Sequence, residues 1–141
     1  MARRVSELID DQLRQPGAED LSARHYPGGR VAEVDGCTFL RPTVIHCTDP
    51  EHPLAAAEFV FPFVTVVEVP APRLLASLGP TLVATVLSDD PAVQQQALAC
   101  HHIDRLNLGA IATPRITWDQ PHEGSLFEHL YRQRAFQAAT A

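Results

Sequence analysis

The sequence predicts an α/β fold, a mostly parallel sheet with helices packed on it. Three observations predict it. Leu82 to Leu87, Leu-Val-Ala-Thr-Val-Leu, is a continuous apolar run bounded by turn signals. Such a run fits a strand buried on both faces, as parallel sheets require. Ser88-Asp89-Asp90-Pro91 follows at once and reads as a helix start, with Asp90 as N-cap and Pro91 at the first helical position. Leu106 to Ala112 then reads as a turn into another strand. A helix over 91–101 has the length to carry the chain between two parallel strands.

The other elements follow in chain order. Val5, Leu8, Ile9 and Leu13 recur at helical spacing over residues 5–15, and Pro16-Gly17 stops that helix. Residues 16–36 are polar and broken by Pro27-Gly28-Gly29 and Gly36, so they read as a loop with a short strand near Arg30-Val31-Ala32. Residues 37–47 are β-rich, and Pro42 implies an edge position or a strand that begins after it. Asp49 to Pro53 is a rigid loop, and Leu54 to Ala57 fits one helical turn. Phe59 to Val69 is the most apolar segment, with a strand in its second half. Pro72 opens a short helix through Leu78, which Gly79-Pro80 ends. The helix after Asp90 would carry Val93, Ala97, Leu98 and His101 on one face. Residues 113–124 form a loop, and the capping box Ser125-Leu126-Phe127-Glu128 starts a last helix. The strands near 63–69, 82–87 and 106–112 are expected in one sheet.

A chain of 141 residues fits one domain of about 150 residues. Its first 35 residues are then a helix and loop lead-in. Hydrophobic residues are 45% and charged residues 20%, both ordinary globular values. The net charge is −6, from 11 basic residues, all Arg, and 17 acidic ones. That balance argues against a nucleic-acid surface, which needs clustered basic charge, and against docking on anionic lipid. No apolar run approaches the ~20 residues of a membrane span. Met-Ala-Arg-Arg-Val has charges but no apolar region after it, so a signal peptide is not expected. Three cysteines, an odd number, fit a reducing compartment, and the expected location is the cytoplasm.

Phosphate loops, Gly-x-Gly-x-x-Gly, Gly-x-Ser-x-Gly and Cys-x-x-Cys are all missing from the sequence. His46, Cys47 and His52, with Asp49 and Glu51 between them, and Cys100, His101 and His102 at a helix end could supply Cys/His zinc ligands. Adjacent helical residues point about 100° apart, however, so the last three do not easily share one ion. A His near a helix C-terminus also complements the dipole. Metal ligands are therefore not expected. Cys37 and Cys47 lie at strand ends and Cys100 near a helix C-terminus, none of which depresses a thiol pKa. Glu58 heads the apolar run, where it could be solvent-exposed, a helix cap, or a hydrogen-bond acceptor in a cleft. His122 and Glu123 precede a helix as loop residues or as an acid/base pair.

Gly36-Cys37-Thr38-Phe39-Leu40-Arg41-Pro42-Thr43-Val44-Ile45 resembles the Gly-x-Phe-x-x-Pro-Thr-Val-Leu stretch late in aldehyde dehydrogenases. Glu58-Phe59-Val60-Phe61-Pro62-Phe63-Val64 is similar to their Glu-x-Phe-Gly-Pro-Val, with Val60 and Phe61 in place of the family's Phe and Gly. Leu82 to Asp90 resembles their Leu-x-Ala-x-Val-x-Ser/Thr-x-Asp. Leu106-Asn107-Leu108-Gly109-Ala110-Ile111 resembles Leu-x-x-Gly-x-Val/Ile. Pro121 to Ser125 and the tail Arg134 to Gln137 resemble the family's ending. These five segments keep the family's order over roughly residues 36–137.

The resemblance implies the C-terminal part of the family's catalytic domain, with its three-layer α/β architecture. The family's activity is oxidation of an aldehyde to a carboxylic acid, by thiolate attack and hydride transfer to NAD or NADP. By motif position, the acid that holds the nicotinamide ribose falls on Glu58. None of Cys37, Cys47 and Cys100 stands in the nucleophile's place, and the Asn after the family's last matched strand has no counterpart near Pro114. No catalytic residue transfers. The expectation is a split subunit or truncated form, inactive alone, that binds no cofactor by itself and uses NAD or NADP once a cofactor-domain partner completes it. The alternatives are a non-catalytic interaction or scaffold module derived from that fold, and a small Cys/His metal-binding protein. Without its neighbouring fold the chain should expose apolar surface around Phe59, Phe61 and Phe63, and bury it against a partner, most simply in a homodimer.

Overall fold

A computed structural model describes residues 1–117 and Leu130. The chain divides into two units, Met1–Ser77 and Leu78–Ala141. The fold is mixed α/β with small sheets and few helices among the described residues.

The first unit opens on helix α1, Ala2–Gln12. It begins and ends about three residues earlier than its apolar spacing suggests, and it buries Ile9 completely while Leu8 stays half exposed. The polar stretch after it is more ordered than a loop. It contains strand β1, Ala18–Asp20, a 3-10 turn at Ala23–His25, and strand β2, Val31–Val34. The sequence gives no periodicity for β1, because three residues paired through the backbone leave no pattern to read. Pro42 divides the β-rich segment into β3, Cys37–Leu40, and β4, Thr43–Cys47. Strands β2 and β3 form a hairpin around Asp35-Gly36, both with positive φ. That is the conformation a two-residue hairpin turn demands, and Asp-Gly supplies it.

Strand β4 is the centre of a three-stranded sheet. It pairs antiparallel with β1 and parallel with β5, Phe63–Val67, in the order β1-β4-β5. The β4–β5 connection makes turns at 51–56 in place of a helix. Ile45 and Cys47 of β4, Ile9 and Leu54 form the fully buried core, and Val5, Leu13, Phe59, Phe61, Phe63 and Val67 pack around it. Each fully buried aliphatic side chain of this kind contributes about 1.5–3 kcal/mol. The helix expected over 72–78 is a 3-10 turn at Ala71–Arg73.

The second unit contains a parallel βαβ element. Strand β6, Thr81–Val86, leads into helix α2, Pro91–Leu98, and on to β7, Ile103–Leu108. β6 and β7 pair parallel, from Thr81↔Ile103 to Val86↔Leu108. Asp90 caps α2 by accepting from the Ala92 N–H at 2.8 Å. Three expectations are corrected. β7 begins at Ile103 and stops before Gly109, whose φ of +88° turns the chain, so the strand lies earlier than 106–112. α2 ends at Leu98 and buries Ala97, while Leu98 and His101 face solvent. The strands near 63–67, 81–86 and 103–108 do not share one sheet, since β5 belongs to the β1-β4-β5 sheet and β6–β7 is a separate two-stranded one. The capping box at 125–128 and the helix it starts lie outside the described residues. No helix of the described residues is long and apolar enough to cross a membrane.

Candidate functional site

Glu58 sits on the connection that brings the chain into β5. Two contacts fix that connection. The Thr65 hydroxyl of β5 donates to the Leu54 carbonyl at 2.9 Å. The His52 ring accepts the Leu54 N–H on Nδ1 at 3.1 Å. An open groove of about 410 Å³ runs between Ala55–Glu58 and Phe63–Thr65. Alanines leave the groove wide, and Glu58 is exposed at its rim, so the second of the three readings, a helix cap, is excluded by the turns around it. Among the described residues Glu58 has no hydrogen-bond or ion-pair partner. A carboxylate so placed can accept from hydroxyl or N–H groups of a molecule in the groove.

The departures from the Glu-x-Phe-Gly-Pro pattern have different consequences. Val60 projects fully into solvent. Phe61 turns inward, with its ring 6.0 Å from Phe59 and 5.8 Å from Phe63, and Phe59 and Phe63 meet edge to face at 4.8 Å. The three rings are half-buried against the core. The apolar surface expected at Phe59, Phe61 and Phe63 is therefore reduced by their own packing, while Phe59 and Phe63 still line the open groove. The side chains of β5 left half exposed are Val64 and Val66, which point the other way because strand residues alternate.

The candidate metal ligands are not brought together. His46 pairs with Glu68, Nε2 to Oε1 at 2.8 Å, on the outer side of the sheet. Cys47 and His52 are buried, each in its own packing. His102 Nε2 lies 3.5 Å from Cys100 Sγ, but His101 is exposed. Among the described residues no three His, Cys, Asp or Glu side chains form a group that could hold a metal ion. Burial, with Asp49 beside it, pushes the Cys47 thiol up, so it stays protonated at neutral pH and is a poor nucleophile. Cys37 is exposed and Cys100 half-buried. His122 and Glu123 lie outside the described residues.

Sequence reading missed two buried arginines. Arg30 donates through Nη1 to the Ser6 carbonyl and hydroxyl, both at 3.2 Å, and to Asp10 at 2.9 Å, and through Nη2 to Asp20 at 2.7 Å. Burial acts to raise the Asp20 carboxyl, but hydrogen bonds from Ser22 and Arg30, and the charge of Arg30, hold it below the usual carboxylate range. Arg105 of β7 donates to the carbonyls of Thr113 and Arg115, fixing the chain beyond Gly109. The only sequence signal for either is an arginine beside or within an apolar strand. A second open pocket, of about 460 Å³, lies at the C-terminal ends of β6 and β7 beside Asp89 and Gln94.

No protein-family model matches the chain, and no curated protein matches it in sequence.

Proposed function

We propose that these residues form the C-terminal part of an aldehyde dehydrogenase-like catalytic domain. In this reading a dinucleotide-binding fold and a thiol nucleophile come from another segment or chain. The completed assembly oxidises an aldehyde to a carboxylic acid with NAD or NADP. Glu58 contributes by accepting hydrogen bonds from the nicotinamide ribose. One observation carries the reading: Glu58 stands exposed at the rim of a groove, on the connection that leads into a strand parallel to the Thr43–Cys47 strand. That is the order of the two resembling motifs, and a carboxylate facing an open groove suits a ribose diol. The parallel β6–α2–β7 element at the third and fourth resembling segments is a second support. A finer architecture, three-layer and mostly parallel, would arise on completion by the missing fold. Three free thiols fit a reducing cytoplasm.

The non-catalytic alternative keeps one specific support. Phe61 fills the place of a glycine and packs with Phe59 and Phe63 against the core of the first unit, so part of their surface is covered without a neighbour.

A pull-down from the native host separates the two. The enzyme reading expects a recovered protein with a dinucleotide-binding fold and a cysteine loop, and aldehyde-dependent NAD(P)H formation by the recovered complex. The pure chain should show only background with several aldehydes and either dinucleotide. Robust NAD(P)H formation by the pure chain, or a recovered assembly that binds no dinucleotide, contradicts the reading.

A further inference from the structure

The β2–β3 hairpin presents an uncharged face that the described residues leave in solvent. Ala32 pairs with Phe39 and Val34 with Cys37 across the ladder. Side chains alternate along a strand, so these four stand on one face. Val34 is 55% and Phe39 53% exposed, and Cys37 is exposed as well. The other face carries Val31, Glu33, Thr38 and Leu40, with Glu33 engaged by Arg3 of α1. A two-stranded ribbon gains little stability by itself, and a bare apolar face on one asks for a cover.

The charges at the two ends of the hairpin say what covers it. Asp35 is at the tip, in the turn, with φ +52°. Arg41 is at the base, where its N–H closes the last rung on the Arg30 carbonyl at 2.9 Å. Its guanidinium lies 5.2 Å from the centre of the Tyr26 ring and gives one donor to the Gly29 carbonyl at 2.9 Å, which among the described residues leaves further donors on the same fork.

We propose that this face is the interface of a two-fold dimer, in which the hairpins of two copies stack antiparallel. A two-fold axis lying between the two faces and running across the strands lays the tip of each hairpin on the base of the other. Asp35 of one copy then meets Arg41 of the second, and the pair is made twice. The large Phe39, near the base, covers the smaller Val34 and Cys37 near the tip of the other copy. A parallel stack would set aspartate on aspartate and arginine on arginine, so the charges select the antiparallel one. The patch is small, so the dimer is weak and its population depends on concentration.

Sedimentation of the full chain, from low micromolar to about 200 μM, tests this together with the rate at which iodoacetamide labels Cys37. The expected result is a dimer that grows with concentration, and Cys37 labelling that slows as it does. Phe39→Glu should keep the chain monomeric over the range. Asp35→Arg and Arg41→Asp should each weaken association about tenfold, and the two together should restore most of it. Circular dichroism and melting confirm that each variant is folded, and Cys37 protection in the unmodified chain stands without any variant. A monomer throughout the range, a dimer that Phe39→Glu leaves intact, or Cys37 labelling at one unchanged rate would each overturn the proposal.

Discussion

The sheet β1-β4-β5 and the parallel pair β6–β7 are built in opposite ways. The first joins two strands with clear local signals, β4 and β5, to one that has none, β1, around a closed core. β1 is three residues of unpatterned sequence, yet its Ala18 packs against a core of the fully buried Ile9, Ile45, Cys47 and Leu54. The second has clear local signals, an apolar run, an Asp-Pro helix start and a glycine stop. Yet Ala97 is its only completely buried apolar residue among those described, and Leu82 and Leu87 are exposed. Clear local patterning therefore does not measure how much a region buries. Contacts between residues far apart in sequence decide that, and they hold the first unit together.

The largest expected effect is at Arg30. Its side chain is 6% exposed and carries Ser6, Asp10 and Asp20 together. Arg30→Ala leaves the Asp20 carboxylate buried without its cation and should cost about 3–5 kcal/mol in denaturant unfolding. The matching Arg105→Ala in the second unit frees only carbonyl oxygens, and should cost less than half as much. Equal costs would remove the contrast between the regions.

Leu54→Ala should cost about 3 kcal/mol, because a fully buried side chain leaves a cavity. Leu82→Ala in β6, 43% exposed, should fall below about 1 kcal/mol. Removing the α2 cap with Asp90→Ala should cost about 1 kcal/mol. Hydrogen exchange on the same samples should show amides of β4 protected more strongly than those of β6. The reverse order would mean the second unit is the better packed one.

Two smaller effects follow from ionisation. Asp20 titrates lower in the fold than in the unfolded chain, where a carboxyl of its kind has a pKa of about 3.9. Its contribution is then complete above that value and is lost as pH falls through the lower folded one. Asp20→Asn should flatten the acid side of the unfolding profile between pH 5 and 2, roughly the range over which such carboxylates titrate. An unchanged profile would mean that Asp20 is not held low. Thiol labelling at neutral pH should proceed at Cys37 and stall at Cys47, whose buried thiol stays protonated.

How much was legible follows the same division. The α2 start at Asp90-Pro91, the parallel β6–β7 pair and the strand after Pro42 were readable, because caps, apolar runs and proline act through nearest neighbours. β1, the early start of β7 at Ile103 and the inward turn of Phe61 were not, because partners far along the chain decide them. For β7 the polar Asp104 and the buried Arg105 break the apolar pattern, and their places come from pairing with β6. Glu58 was legible as a residue and not as a place. The resemblance picked it out, while its exposure at the rim of a groove comes from the Thr65–Leu54 contact, which spans the connection.

The functional reading rests on that carboxylate. The direct test is the KM for dinucleotide of the aldehyde-oxidising assembly recovered from the native host, rebuilt with the chain carrying Glu58→Gln. Loss of a charged acceptor on the ribose should raise this KM about tenfold or more, with the aldehyde KM little changed. An unchanged dinucleotide KM in an otherwise active, folded assembly would contradict the role of Glu58 and the reading built on it.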